Sequence, residues 1–499
     1  MKHIAVFTLL LVCAVVGLAQ SPSAILKKSE KAMGAAALKK KDSVRITGTI
    51  TRESDGATGK YVYRSARPNM LNISFDIGGF GTESSYNGRS SWRRDSRQGV
   101  QTLTGRESNA MQARAAYRNS LWLNAKNEKA KLSYGGTANV NGRQSDIVVY
   151  TSAKGVPIKI YIDPQSGFVL RDEIAVGDQV EVWDYSDYRD AGGAKYPFAI
   201  RVSLAGQAFG IKVDEVKTNL QIARSAFDYP VDNNAPLPDI GALLKEVQAN
   251  EDRVDSMLDN YSYKQKSITR EVDKNGQIRE TDSETVQLSF YKGYRIRRQI
   301  EKDGKPLSMS DQAKEDKDVQ KQVEDVEKKI AKTEARNVNG PPSEDDNRRV
   351  SIAEVLRASR LINPRRERFG GRDCVVFDFE PNPDFDMKSA KTALKFFGKT
   401  AGVMWIDEQD KQVARVEAVL FDSYKVGGGV LAKINKGAAF TLDKERFNDE
   451  IWLPATAEIN LSLRVLLVKG ISVNQLIRSY DYHRFETEVK GAKVGDDKP

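Results

Sequence analysis

The sequence is poor in the residues on which most enzyme chemistry depends. It holds two cysteines and two histidines in 499 residues, and Cys13 and His3 both fall within the first nineteen. Beyond that segment only Cys374 and His483 remain. One cysteine cannot form an intrachain disulfide, so the chain must stand on packed cores. One histidine with no second imidazole or neighbouring thiol cannot complete an ordinary zinc site. A His-dependent triad would hang on His483 alone, which reads instead as a strand-surface residue. HExxH, P-loop, GxSxG and CxxC are all missing. Carboxylate pairs such as Asp184/Asp187 and Glu380/Asp384 are expected by chance among 68 acidic residues. The sequence therefore implies no catalytic residue, no cofactor and no metal. After the N-terminus it also lacks any run of about 18 uncharged apolar residues, the minimum for a spanning helix, so the processed chain reads as soluble.

What is present has the composition of a globular protein, 40% hydrophobic and 29% charged. The length suggests two or three domains. Residues 1–19, MKHIAVFTLLLVCAVVGLA, combine Lys2, an apolar run and a small-residue end. That is the pattern of a cleavable Sec-type signal peptide, which predicts a periplasmic or secreted protein. Cys13 follows Val12 inside the apolar run and does not suit lipidation. The net charge of +10 is modest. Basic clusters at Arg93-Arg94 and Arg365-Arg366 suit an anionic membrane surface or headgroup. No motif for nucleic acid accompanies them, and solvated strand faces are the plainer reading.

A short stretch occurs twice. YIDPQSGFVLRDE (161–173) and WIDEQDKQVARVE (405–417) share Ile, Asp, Gln, Val, Arg and Glu in the same places. Each leads through a residue before proline into an alternating stretch that ends in Asp-Tyr, near Tyr229 and Tyr482. The spacing predicts a diverged internal repeat. A helix over 22–40 precedes alternating strands such as MLNISFDI (70–77), interrupted by a helical patch at 108–123. Proline-rich residues 231–239 read as a linker between domains at 22–230 and 240–488. The second half opens with a helix at 240–260. It carries a charged insertion (309–348), whose helix at 311–336 has Val319, Val323, Val326 and Ile330 as a narrow stripe, and a further helix at 351–362. Residues 489–499 read as a loose, disordered tail. Gly78-Gly79-Phe80-Gly81 reads as a wide turn and Gly427-Gly428-Gly429 as a bend in a curved sheet.

The predicted class is α+β. It comprises two tandem incomplete antiparallel β-barrels, half-barrel sheets each capped by lid helices, with the charged insertion in the second. The leading helix, the ID-x-Q hairpin and the strand DYSDYRDAGGAKYPFAIRV (184–202) resemble the outer-membrane lipoprotein carrier (LolA/LolB-like) superfamily, best over residues 22–232. That resemblance implies an unclosed barrel whose hollow interior holds acyl chains, and hence binding or transport of lipid or acylated lipoprotein in the cell envelope. Leu71, Ile73, Phe75, Trp92, Trp122 and Trp183 in the first half, with Phe377 and Trp405 in the second, are the candidates to line a cavity. Arg93, Arg94, Arg365 and Arg366 are candidate rim charges. The alternative is a non-catalytic envelope scaffold that docks a protein partner through the charged insertion.

Overall fold

The computed structural model describes residues 21–96, 99–152, 155–176, 179–204, 206–230, 236–258, 260–272, 278–292, 294–337, 352–387, 390, 392–426, 432–447, 451–465 and 471–484. The predicted signal peptide, linker residues 231–235, Gly427-Gly428-Gly429, insertion residues 338–348 and the tail lie outside them.

The expected helix at 22–40 is two helices, α1 (Pro22–Ala32) and α2 (Ala35–Lys39). Ser21 caps the first by accepting from the Ala24 N–H at 3.2 Å, and Pro22 suits a position whose N–H has no helical partner. Gly34 divides them. Its φ is +77°, and a Cβ there would lie 2.4 Å from the Gly193 carbonyl oxygen. Only glycine tolerates both conditions.

The first sheet is built from β1 (Ser43–Arg52), β2 (Thr58–Ala66), β3 (Met70–Ile77), β4 (Phe80–Tyr86), β5 (Ser91–Asp95) and β6 (Gly99–Thr102). After α3 (Gly105–Arg118) and a 3₁₀ turn at Leu121–Asn124 come β7 (Lys131–Val140), β8 (Arg143–Thr151), β9 (Pro157–Ile162) and β10 (Val169–Val176). β11 (Gln179–Ala191), β12 (Ala194–Leu204) and β13 (Gln207–Thr218) complete it. The spatial order is β6-β5-β4-β3-β2-β1-β13-β12-β11-β10-β9-β8-β7. The chain thus walks from the middle to one edge, crosses by α3 to the other edge, and returns to the middle. β6 and β7 are not paired with each other, so the sheet stays unclosed.

The second sheet follows the same path. After α4 (Ile240–Leu258) come β14 (Tyr261–Val272), β15 (Ile278–Tyr291), β16 (Tyr294–Lys302) and the short β17 (Lys305–Pro306). α5 (Met309–Asn337) and α6 (Ile352–Arg357) lead to the far edge at β18 (Ser359–Phe369) and β19 (Arg372–Pro381). Beyond α7 (Thr392–Phe397) lie β20 (Thr400–Asp407), β21 (Gln412–Leu420), β22 (Tyr424–Val426) and β23 (Ala432–Ile434). β24 (Ala439–Phe447), β25 (Ile451–Val465) and β26 (Ile471–Arg484) return to the middle. The main order is β17-β16-β15-β14-β26-β25-β24-β21-β20-β19-β18. The expected helix at 351–362 stops at Arg357, because Ser359 onward pairs with β19. The molecule is mostly antiparallel sheet with few helices, an α+β fold of large unclosed sheets.

The two similar sequence stretches form similar hairpins, β9–β10 and β20–β21. In each turn the aspartate accepts from the backbone N–H two residues on, Asp163 from Gln165 at 2.8 Å and Asp407 from Gln409 at 3.0 Å. Each also binds an arginine that opens the preceding paired strand or lies beside it, Arg143 and Arg372. Arg171 sits opposite Asp184 and Arg415 opposite Asp443.

Asp407 is fully buried, and burial alone would raise its pKa. Arg372 and the N–H groups of Asp410 and Gln409 outweigh that and hold it below the ordinary 3.8. A carboxyl depressed on folding stabilises above its unfolded value, and that contribution fades as pH falls through the folded one. Asp407→Asn should cost about 1.5–3 kcal/mol at neutral pH, the range for hydrogen bonds to a charged group. The gap between wild type and variant in urea unfolding should narrow steadily below the ordinary 3.8. A gap that stays constant through that range would contradict the assignment.

The charged insertion has a structural task. Val326 is buried, and the rest of the predicted stripe, Val319, Val323 and Ile330, is half-buried against the sheet. Among the described residues no strand pairs with the outer edge of β16 at Arg297 and Gln299. There Gln322 accepts from the Arg297 N–H at 2.9 Å and donates to its carbonyl at 2.8 Å, while Glu315 accepts from the Gln299 N–H at 2.9 Å. Side chains of α5 thus occupy backbone groups that would otherwise offer a template to another strand. Replacing Glu315 and Gln322 by Ala together with Val326→Asp should promote self-association in analytical ultracentrifugation. A triple variant as monomeric as wild type at the same concentration would refute the edge-cover role.

Candidate functional site: an apolar cavity beneath α3

Register decides which residues face inward. Ile73 pairs with Tyr63 and Ser84, and Phe75 with Tyr61 and Thr82. Ser84 in turn pairs with Arg93, so Tyr61, Tyr63, Ile73, Phe75 and Arg93 share one face, because side chains alternate along each strand. On β11 the same alternation places Glu181, Trp183 and Tyr185 together, and Trp183 pairs with Val202. α3 crosses this face with Ala110, Met111 and Arg114 turned toward it.

Between helix and sheet lies a cavity of about 530 Å³. Its walls include Ile50, Tyr61, Ile73, Phe75, Ile77, Met111, Trp183, Val202, Phe209 and Ile211. The Phe75 and Phe209 rings lie 5.8 Å apart. A smaller space of about 130 Å³ shares Tyr61 and Trp183 with it and is lined further by Tyr63, Tyr117, Trp122, Tyr185 and Tyr196. The larger cavity runs to the end of the sheet where several strands turn. Phe80, which opens β4 after the Gly78-Gly79 turn (φ +59° and +84°), stands 47% exposed beside it. Arg52 and Arg93 line this region, paired with Asp55 (2.7 Å) and Glu107 (3.7 Å).

The inward face also carries two carboxylates, each matched by an arginine of α3. Glu181 accepts from Arg114 Nη2 at 2.7 Å and from Trp183 Nε1 at 2.5 Å. Asp172 accepts from Arg118 Nη2 at 3.1 Å and from the Tyr185 hydroxyl at 2.6 Å. Burial works against the Arg118 charge, but Asp172 and the surrounding tyrosines outweigh it and hold its pKa well above the ordinary value. These pairs pin α3 across the sheet. Breaking one would leave a buried charge uncompensated.

The predicted site residues do not form one site. Ile73, Phe75, Trp183 and Arg93 line the large cavity, and Trp122 lines the small one. Leu71 is fully buried in the core. Trp92 pairs with Ser85, which pairs with Asn72, so it lies on the opposite face of the sheet from Ile73. Its indole donates to the Phe227 carbonyl at 2.8 Å. Arg94 shares that face and lines a recess of about 570 Å³ with Trp92 and Arg365. In the second half Phe377 pairs with Met404 while Val376 pairs with Trp405, so the two aromatics point to opposite faces. Phe377 packs with Leu243, Val247 and Phe379, and Trp405 with Cys374, Val376 and Val403. Both are core residues.

Of the four expected rim arginines only Arg93 stands at the cavity, and Arg94, Arg365 and Arg366 lie elsewhere. Arg365 is 4% exposed and joins the halves. It bonds Glu367 (2.9 Å), Asp378 (3.0 Å) and the Thr102 hydroxyl (3.0 Å), and stacks 4.7 Å from the Tyr229 ring. Around it Asn87 donates to Asp378 and Arg89 pairs with Glu380. Glu367 accepts from the Thr102 N–H on β6, and Glu417 from the Gly105 N–H at the start of α3. Arg366 lies on the surface, paired with Glu408. Elsewhere His483 is exposed beside Asp481, and burial pushes the Cys374 thiol up to about 12, which leaves it unreactive at neutral pH.

Sequence reasoning passed over Tyr61, Met111, Arg114, Glu181 and Phe209. For Glu181 a signal existed, since it shares the period-2 face of Trp183 and Tyr185.

No family model matches this chain, and neither does any curated protein. Among solved structures it is similar to a putative outer membrane lipoprotein-sorting protein domain from Vibrio parahaemolyticus. Identity is 11%, with 41% of this chain and 95% of that chain covered at a TM-score of 0.30. It is similar to a LolA superfamily protein from Nitrosomonas europaea at 16% identity, covering 42% of this chain and 97% of that one, TM-score 0.28. A MucA/MucB complex from Pseudomonas aeruginosa aligns over 92% of this chain and 94% of that chain, at 9% identity and a TM-score of 0.19.

Proposed function

We propose that this chain binds an amphipathic acyl molecule, a lipid or the acyl chains of a lipoprotein, with its apolar part in the cavity beneath α3. The cavity itself carries this reading. Its volume of about 530 Å³ falls in the range of small-molecule sites, roughly 300–1,000 Å³. Its walls are mainly aromatic and aliphatic, with Arg114 and Glu181 inside and Arg52, Arg93 and Glu107 toward the end of the sheet that it reaches. Each methylene moved from water into such a space contributes about 0.8 kcal/mol. In this reading α3 is the lid, and Arg114 and Arg118 are its fastenings.

The two halves, 22–230 and 240–488, are then diverged copies of one half-barrel. The matching strand paths and the matched Asp–Arg hairpins support this. The first half holds the cargo, and the second, with Phe377 and Trp405 packed solid, supports it. An exported protein working in the envelope fits the N-terminal segment. Among the described residues no helix is long and apolar enough to cross a membrane. The anchoring of α5 along β16 favours edge protection over partner docking for the insertion.

The test is to express the full chain in a Gram-negative periplasm, purify it without detergent and analyse an organic extract by mass spectrometry. Stoichiometric acyl lipid or acylated peptide supports the reading. A clean extract from folded protein, before and after incubation with membranes, overturns it.

A further inference from the structure

Arg114 is an unusual wall for an apolar cavity. It is 7% exposed and lines the 530 Å³ space together with Tyr61, Met111 and Trp183. A guanidinium carries five N–H donors. Nη2 meets Glu181 at 2.7 Å, and Nη1 has only the Met111 sulfur at 3.9 Å, a weak acceptor. Nε has no acceptor among the described residues but is sealed from the cavity, so Nη1 is the donor left for a ligand. A buried donor left in this state favours any ligand that supplies an oxygen.

The charge nearby narrows what that oxygen belongs to. Glu181 already balances Arg114, and Asp172 balances Arg118. At the mouth Arg93 faces Glu107. A carboxylate entering beside Arg114 would be a second negative charge against one positive, with apolar walls around it, which is costly. A neutral carbonyl brings an acceptor and no charge.

We propose that Arg114 is the polar contact of the cavity and receives the carbonyl oxygen of an acyl ester or acyl amide. The preferred ligand is then a neutral acyl ester or amide rather than a free fatty acid or a plain hydrocarbon. The proposal rests on the lipid-binding reading above and names the chemistry that the site selects.

Isothermal titration of the delipidated full chain with three probes of equal chain length tests it: monopalmitoylglycerol, hexadecyl glyceryl ether and palmitate. The wild type should bind the ester about tenfold more tightly than the ether, the worth of one hydrogen bond to a charged group, and more tightly than palmitate at neutral pH. Arg114→Met combined with Glu181→Gln, which strands no buried carboxylate, should abolish the preference for ester over ether, the ratio of the two affinities being the readout. Arg114→Lys, which keeps a donor, should retain part of the preference and covers the case in which the methionine variant does not fold. Equal affinities for ester and ether in the wild type, or tighter binding of palmitate than of the ester, overturn the Arg114 assignment while lipid binding stands. No binding of any probe to the folded wild type overturns the lipid reading itself.

Discussion

A Phe75→Asp variant should leave the periplasm folded and empty. Phe75 stands on the inward face of β3, half-buried, with its ring against Phe209 across the cavity. It is not a fully buried core residue, so the sheet can hold an aspartate there by letting it meet water in the cavity. An acyl chain cannot. It would lose the ring contact, worth on the order of 1.5–3 kcal/mol for a large apolar side chain, and would have to strip water from a carboxylate. Together these should reduce affinity by well over tenfold, enough to bring co-purified lipid from stoichiometric to undetectable. Circular dichroism and the urea midpoint report the fold, and mass spectrometry of the extract reports the cargo. Phe75→Leu, which keeps the wall apolar, should retain cargo. A folded Phe75→Asp protein that still carries native lipid would place the binding site elsewhere.

The largest stability effect should come from Arg365. Removing it leaves Asp378, fully buried, and Glu367, nearly so, as neighbouring carboxylates without their shared cation. Breaking one partner out of a buried ionic cluster costs about 3–5 kcal/mol, a large part of the stability of most domains. The cluster spans the two halves through Thr102 and Tyr229, so the loss should appear as their separation. Small-angle scattering of Arg365→Met should show a longer particle before either sheet unfolds. Arg365→Lys should recover only part of the loss, since a single ammonium cannot reach Glu367, Asp378 and Thr102 in the fork geometry of arginine. Adding Glu367→Gln and Asp378→Asn to Arg365→Met should restore some stability by removing the stranded charges. A urea midpoint for Arg365→Met within error of wild type would show that the cluster does not hold the halves together.

The same contacts tie the interface to the cavity. Glu417, a residue of the second similar hairpin, holds the first N–H of α3. Glu367 holds the N–H of Thr102, just before it. The helix that roofs the cavity is therefore fastened at its start by the second half and at its end by Asp172 in the first.

Much of the fold was legible in the chain because it rests on local rules. Alternation in MLNISFDI predicts a strand and states which residues share a face. The ID-x-Q stretches predict hairpins because an aspartate at that point can take the backbone N–H two residues on. The apolar stripe at Val319, Val323, Val326 and Ile330 within the charged insertion predicts a helix with a narrow buried side. Gly34 was passed over, because the reason for a glycine there is the Gly193 backbone it approaches, 159 positions away by number.

The site was legible only in part, and the reason is geometric. Period-2 alternation says that Trp92 and Arg93 face opposite ways, but it cannot say which way is inward. That depends on the face α3 covers, and α3 is held there by Glu181 and Asp172 on strands far along the chain. The same limit applies to Phe377 and Trp405: both read as candidates to line one cavity, and only the β19–β20 register shows that they stand back to back. Arg365-Arg366 reads as an exposed basic cluster until the partner carboxylates are brought in by folding, which buries one arginine and leaves the other on the surface. Composition and periodicity thus determined that this chain makes long antiparallel sheets, with Cys374 and His483 the one thiol and one imidazole beyond residue 19. Tertiary packing decided where the hollow lies and which charges close it, because cavities and buried ion pairs are made between elements and not within them.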